Sequence, residues 1–126
     1  MIFSYTRYLA ITAVASFVLT GCEVKTPEQI ALMDNLELCQ LHSSAEGNSP
    51  YLAELVKRGA LTNQELEDIS SETIRTGMKT YVAVCSWGPY ESINSSGGIY
   101  GDTEQIVISL SQYIYTENGR VTQWQQ

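Results

Sequence analysis

Asn118-Gly119 constrains this chain more than any other local feature. A two-residue type I′ turn needs positive φ at both central positions, and Asn-Gly tolerates that well. The dipeptide lies between two strand-length runs, Gln112–Glu117 (QYIYTE) and Arg120–Gln125 (RVTQWQ), so it predicts a β-hairpin. A third such run, Gln105–Leu110 (QIVISL), precedes them. The chain before residue 77 carries helix signals instead. Thr26-Pro27-Glu28-Gln29 offers a capping threonine, a proline suited to the first helical position and a glutamine that completes a capping box. Ile30, Leu32, Met33, Leu36, Cys39 and Leu41 form a broad apolar stripe that predicts a helix to about His42. Ser43–Ser49 reads as a polar loop. Ser49-Pro50 opens a second helix with Leu52, Leu55 and Val56 on its apolar face and Gly59 as its stop. Thr62-Asn63-Gln64-Glu65 is another capping box and opens a third helix that carries Leu66 and Ile69 towards Ile74. Helices first and strands last describe an α+β chain.

Two segments resist a single reading. In residues 78–87 (MKTYVAVCSW) the β-branched and aromatic content favours a strand. The flanks favour a short helix, with Gly88 as C-cap and Pro89 just beyond. From Tyr90 to Gly101 the chain is rich in Ser, Gly and Asn and reads as a flexible connection, most mobile at Ser95-Ser96-Gly97-Gly98.

The N-terminus has a different character. Arg7 is the only charged side chain before Cys22, and residues 8–19 form an apolar run of 12. A membrane-spanning helix needs about 20 apolar residues, so the run reads as the core of a secretory signal. Leu19-Thr20-Gly21-Cys22 resembles the lipobox of bacterial lipoproteins. That resemblance implies a diacylglyceryl group on the Cys22 thiol, cleavage between Gly21 and Cys22, and acylation of the freed amine. An ordinary signal peptide, or a buried helix with Cys22 as a free thiol, is the blander alternative. Residues 1–21 are then a removed signal, 22–25 a lipidated tether and 26–126 a single domain. Acyl chains supply about 0.8 kcal/mol per buried CH₂, enough for stable anchoring with two or three chains. Glu23 stands where an aspartate favours inner-membrane retention in such lipoproteins, which directs the expectation to the periplasmic face of the outer membrane. Three tether residues, at about 3.3–3.6 Å each, hold the domain within roughly 15 Å of the bilayer.

Charge and cysteine content narrow the function classes. The 126 residues carry 7 Lys and Arg against 14 Asp and Glu, and loss of Arg7 with the signal would leave the balance more acidic still. Such a surface argues against contact with phosphates, so nucleic acid is not an expected partner. Anionic lipid would repel it, and the lipid anchor must supply the membrane affinity. Beyond Cys22 the cysteines are Cys39 and Cys85. An oxidising compartment favours a disulfide between them, and a loop of this length is worth on the order of 4 kcal/mol in the chain-entropy model. Two buried thiols are the alternative. His42 is the single histidine, placed at an expected helix end where a cation suits the dipole. No second His or Cys supports a metal, and Ser70-Ser71 and Ser95-Ser96 lack the setting of a nucleophile. Glu65, Glu67, Asp68 and Glu72 read as a solvated helix face. No catalytic residue, metal or cofactor is expected apart from the covalent lipid.

Three further pieces carry a family resemblance: Ile74-Arg75-Thr76-Gly77-Met78, then Trp87-Gly88-Pro89, then Gln112–Gln125 with its aromatic strand, Asn-Gly turn and Val121. Together they resemble the SmpA/OmlA (BamE-type) domain over roughly residues 50–126. In that family Ser or Thr usually follows Gly-Met and caps the next helix; here Lys79 intervenes and Thr80 comes one place late. The chain is thus read as a relative and not as the assembly subunit itself. The resemblance implies helices packed on one face of an antiparallel sheet, and binding of other envelope proteins. Proteinaceous β-lactamase inhibitors use the same general fold.

Aromatic residues are the remaining functional hint, because they are enriched at binding hot spots. Tyr90, Tyr100, Tyr113, Tyr115 and Trp124 fall in the loop and sheet region, and Tyr113 and Tyr115 share one face of their strand. One sheet face must be buried under the helices, and the other is open to bind. The leading expectation is a non-enzymatic outer-membrane lipoprotein that binds envelope proteins in an accessory or assembly role. The alternative is an acidic inhibitor or protective module against a basic enzyme such as a lysozyme.

Overall fold

The computed structural model describes residues 24–45 and 49–126. The expected signal, the Gly21–Cys22 cleavage point and the lipidated Cys22 lie outside the described residues. The fold is α+β: among the described residues, five short helices, then a four-stranded antiparallel sheet. Among the described residues no helix is long and apolar enough to cross a membrane.

The expected first helix is two helices, α1 (Pro27–Leu32) and α2 (Asn35–Ser44). Thr26 and Gln29 form the expected capping box. The break comes from Asp34, whose carboxylate accepts the backbone N–H of Glu37 at 2.8 Å and so starts a new helix. An acceptor that satisfies an orphan N–H outweighs continuity of the apolar stripe. Helix α3 (Pro50–Lys57) is capped by the Ser49 hydroxyl, and Gly59 ends it at φ +69°. Helix α4 (Asn63–Ser70) starts with the Thr62–Glu65 capping box, and Ile74 lies beyond its end.

Residues 80–87 resolve as helix α5 (Thr80–Trp87), with Gly88 as its C-cap. Val82, Ala83, Val84, Cys85 and Ser86 are five consecutive buried residues. A half-covered strand buries alternate residues, whereas a helix enclosed on every side buries all of them. Burial therefore overrides the β-branched propensity. Lys79 is the N-cap and gives no side-chain cap; the late Thr80 sits inside the helix with its hydroxyl buried and unbonded.

The sheet is a simple meander of β1 (Ser92–Gly98), β2 (Gly101–Val107), β3 (Tyr113–Glu117) and β4 (Arg120–Gln125). The expected flexible stretch 90–101 is instead strand β1 and its turn, paired in register with β2 from Ser92–Val107 to Gly98–Gly101. The Ser and Gly content hid it, because β1 has so little buried surface to betray a pattern. Asn118 and Gly119 adopt the expected positive φ, +50° and +76°. A Cβ on Gly101, at φ +113°, would come within 2.5 Å of Asn118 Oδ1, so the two hairpin turns interlock there.

Helix α5 is the centre of the helical layer. It packs on α2, α4 and β4, while α3 joins α1 to α2. Leu38, Leu55, Val82, Val84, Ile106 and Ile114 are fully buried. Cys39 and Cys85 form the expected disulfide, which ties α2 to α5. The strap 77–80 carries the helices onto the sheet: Gly77 and Thr80 N–H donate to Val121 and Gly119 carbonyls (2.7 and 3.1 Å), and Val121 N–H donates to Met78 O (2.8 Å).

Candidate binding surface

Side chains at matched positions of neighbouring strands share a face. Ile93, Ile106, Ile114 and Trp124 form one row across the sheet, on the side of the helices. The next residues along form two rows on the other side: Asn94, Gln105, Tyr115 and Gln123, then Ser92, Val107, Tyr113 and Gln125. Among the described residues, α5 on β4 is the main helix–strand packing, and it lies with Ile106 and Ile114 on the helix side, not on these rows. This open face is a candidate surface.

The five aromatics singled out by sequence do not come together. Tyr113 and Tyr115 do share the open face, half-buried, with the Tyr113 hydroxyl bonded to Leu110 O. Trp124 lies on the opposite face, beside Ile114, and is 41% exposed at the β4 edge. The cause is a register shift between Tyr115 and Thr116 that leaves Thr122 as an extra residue on β4. A one-residue bulge reverses the facing of everything beyond it. The Thr122 hydroxyl donates to Tyr115 O at 3.3 Å and helps hold the bulge. Tyr90 precedes β1 and packs against the core, with its N–H and C=O both bonded to the Gln40 side chain of α2 (2.9 Å each). Tyr100 is 95% exposed at the tip of the β1–β2 turn, next to the equally exposed Ile99.

What sequence reading missed is the amide row beside Tyr115. Asn94 Nδ2 donates to Gln105 Oε1 (3.1 Å), and Gln105 Nε2 donates to the Tyr115 hydroxyl (3.4 Å). The row lines a shallow groove of about 330 Å³. The alternation Ser92-Asn94-Ser96 was the available signal: a strand with one polar and one weakly apolar side.

The two sheet edges differ. The strap 77–80 bonds to Gly119 in the turn and to Val121 of β4, and occupies the start of that strand's edge. Among the described residues, strand β1 pairs only with β2. Asp102 accepts from Asn118 N–H and Ile108 donates to Gln112 O, so even-numbered residues of β2 bond towards β3 and odd-numbered ones towards β1. By register, the β1 residues that bond to β2 are Ser92, Asn94, Ser96 and Gly98. The backbone groups of Ile93, Ser95 and Gly97 therefore point outward, away from the sheet.

The titratable groups serve the fold. Asp68 is not on a solvated face: it is 3% exposed, and its carboxylate accepts Arg75 Nε at 3.0 and 3.1 Å and Gln64 Nε2 at 3.0 Å. Glu65 closes its capping box and pairs with Lys79 at 3.3 Å. Burial works against the Lys79 charge, yet Tyr81 and Glu65 outweigh it and raise the lysine pKa. His42 does stand in the last turn of α2, but burial lowers its pKa and leaves Nδ1 without a partner, so the cationic form suggested by the dipole is disfavoured. Among the described residues no cluster of His, Cys, Asp or Glu could hold a metal ion. No protein-family model, curated protein or solved structure matches the chain.

Proposed function

We propose that the chain is a lipid-anchored envelope protein, on the periplasmic face of the outer membrane, that binds another envelope protein and catalyses no reaction. The reading rests on one observation above all. Among the described residues the sheet leaves one face and one edge uncovered, while Glu65 and Asp68 are committed to capping and to pairing with Lys79, Arg75 and Gln64. The resemblance of Leu19–Cys22 to a lipobox supports the anchor, and the short expected tether supports a domain held close to the bilayer. The SmpA/OmlA resemblance supports an accessory or assembly role for a relative of that family. Cross-linking and co-purification from detergent-solubilised envelopes test it. One specific envelope protein should be recovered with the wild type and lost with Cys22→Ser. Recovery of none would remove the reading.

A second reading has its own observation. Between Lys79 and Arg120 the chain holds Glu91, Asp102, Glu104 and Glu117 and no basic side chain. An acidic surface of this kind suits a basic enzyme such as a lysozyme, with association that weakens in salt. Lysozyme assays at low and high ionic strength separate the two readings. Undiminished lysozyme activity at low salt excludes the inhibitor.

A further inference from the structure

The bare edge of β1 is a built acceptor for backbone, and we infer that it takes up an extended segment of a protein partner as a fifth strand of the sheet. The inference rests on the protein-binding reading above and names the chemistry of the partner. An unpaired edge offers a row of N–H and C=O groups that a second strand can satisfy. Natural sheets usually block such an edge with lysine, proline, a bulge or a covering segment. Strand β1 (SINSSGG) has no charge, no proline and no register shift along its pairing with β2. The other edge shows what blocking looks like in this same sheet, with strap 77–80 bonded to β4 and a bulge at Thr122. The contrast marks β1 as the edge left free among the described residues.

The side chains beside that edge specify the incoming strand. Ile93 lies on the helix side, at the end of the Ile106–Ile114–Trp124 row, and is partly buried against the core. An apolar residue opposite Ile93 would lengthen that row. Ser95 and Gly97 follow on the same side, and their β2 partners are Glu104 and Asp102. Serine and glycine are short enough for a lysine or arginine on the added strand to reach across them to those carboxylates. The recognised segment is therefore extended, with two basic residues and one apolar residue at alternate positions. A second copy of this chain fits poorly, because β1 against β1 would bring two acidic hairpins together without a compensating base.

The probe is a capped heptapeptide, Thr-Lys-Thr-Lys-Thr-Val-Thr, which in antiparallel register sets its lysines opposite Gly97 and Ser95 and its valine opposite Ile93. It is titrated into the ¹⁵N-labelled full chain in detergent, with amide exchange followed residue by residue. The amides of Ile93, Ser95 and Gly97 should shift together and gain protection. Ser95→Pro removes an outward N–H and should weaken binding at least about tenfold, as should exchange of both peptide lysines for glutamate. Asp102→Asn with Glu104→Gln, which leaves the β1 backbone untouched, should weaken the lysine peptide and flatten its salt dependence. Leu110→Ser, exposed in the turn between β2 and β3 and outside the β1 edge, should change nothing. Shifts confined to the open face, or none at millimolar peptide, overturn the proposal. So does protection of the same amides by self-association without peptide. An envelope protein that still cross-links to Ser95→Pro as to the wild type overturns the edge alone and leaves the protein-binding reading standing.

Discussion

The α2–α5 pair and the β1–β2 hairpin are held together by opposite means. In the first, side chains do the holding. Leu38, Cys39, Val82 and Val84 are fully buried, a disulfide joins the two helices, and the Ser43 hydroxyl lies 2.8 Å from Cys39 O and 2.6 Å from Val84 O. In the second, the main chain does the holding, with Ile93 the one β1 side chain that reaches the core. Stability is therefore concentrated in the helical layer, and available backbone is concentrated in the hairpin. Damage to the first should unfold the molecule. Damage to the second should leave it folded and change what it binds.

The largest expected effect comes from Cys39→Ser with Cys85→Ser. Loss of a native bridge from a small domain costs about 2–5 kcal/mol, which equilibrium denaturation would read as a large fall in midpoint. Leu38→Ala should cost a similar ~2–5 kcal/mol through the cavity it leaves. Gly88→Ala is next, at about 1–3 kcal/mol, because its new Cβ would meet Val84 O at 2.6 Å and Ser43 Oγ at 3.1 Å where the two helices close. Asp68→Ala should cost about 1–3 kcal/mol in thermal or chemical unfolding, since Gln64 and Arg75 lose their shared acceptor. A smaller effect follows pH. The His42 pKa is lower in the folded state than its ordinary 6.5, so the unfolded chain takes up a proton first as pH falls. Its contribution is complete above about pH 6.5 and declines as pH drops through that value, and His42→Asn should flatten the melting temperature between pH 7 and pH 5.5 relative to the wild type. At the far end, Tyr100→Ser should alter stability by less than about 0.5 kcal/mol, because the residue is 95% exposed at the hairpin tip. A loss comparable with that of Gly88→Ala would abolish the distinction between the two regions.

The local signals that were legible share a physical origin: each is settled by a few neighbouring residues. Thr26 and Gln29, Thr62 and Glu65, Ser49 with Pro50, and Asn118 with Gly119 act within their own turn. The elements that were not legible depend on something distant. The helical state of 80–87 follows from burial on all sides, which requires α2, α4 and β4 to be in place. Strand β1 exists because β2 pairs with it, not because Ser92–Gly98 favours a strand. The Trp124 facing depends on a single extra residue at Thr122. Asp34 is the exception, a local helix start that sat inside an apolar stripe and was obscured by it. For the candidate surface, Tyr113 and Tyr115 were legible as a pair. The amide row, the free edge and the dispersal of the other aromatics required the register.

The strap at 77–80 has a consequence for the order of events in folding. Every pairing inside the sheet joins strands adjacent in the chain, so each hairpin can form from local contacts alone. The bonds from Gly77, Met78 and Thr80 to Gly119 and Val121 instead close a loop of about 40 residues, and the entropy of that closure must be met before the contact returns anything. The seam between helices and sheet is thus a long-range closure added to a sheet that is local; the α2–α5 pairing, with its cysteines 46 residues apart, is another within the helical layer. Weakening it should slow folding of the whole while the hairpins continue to form at their own pace.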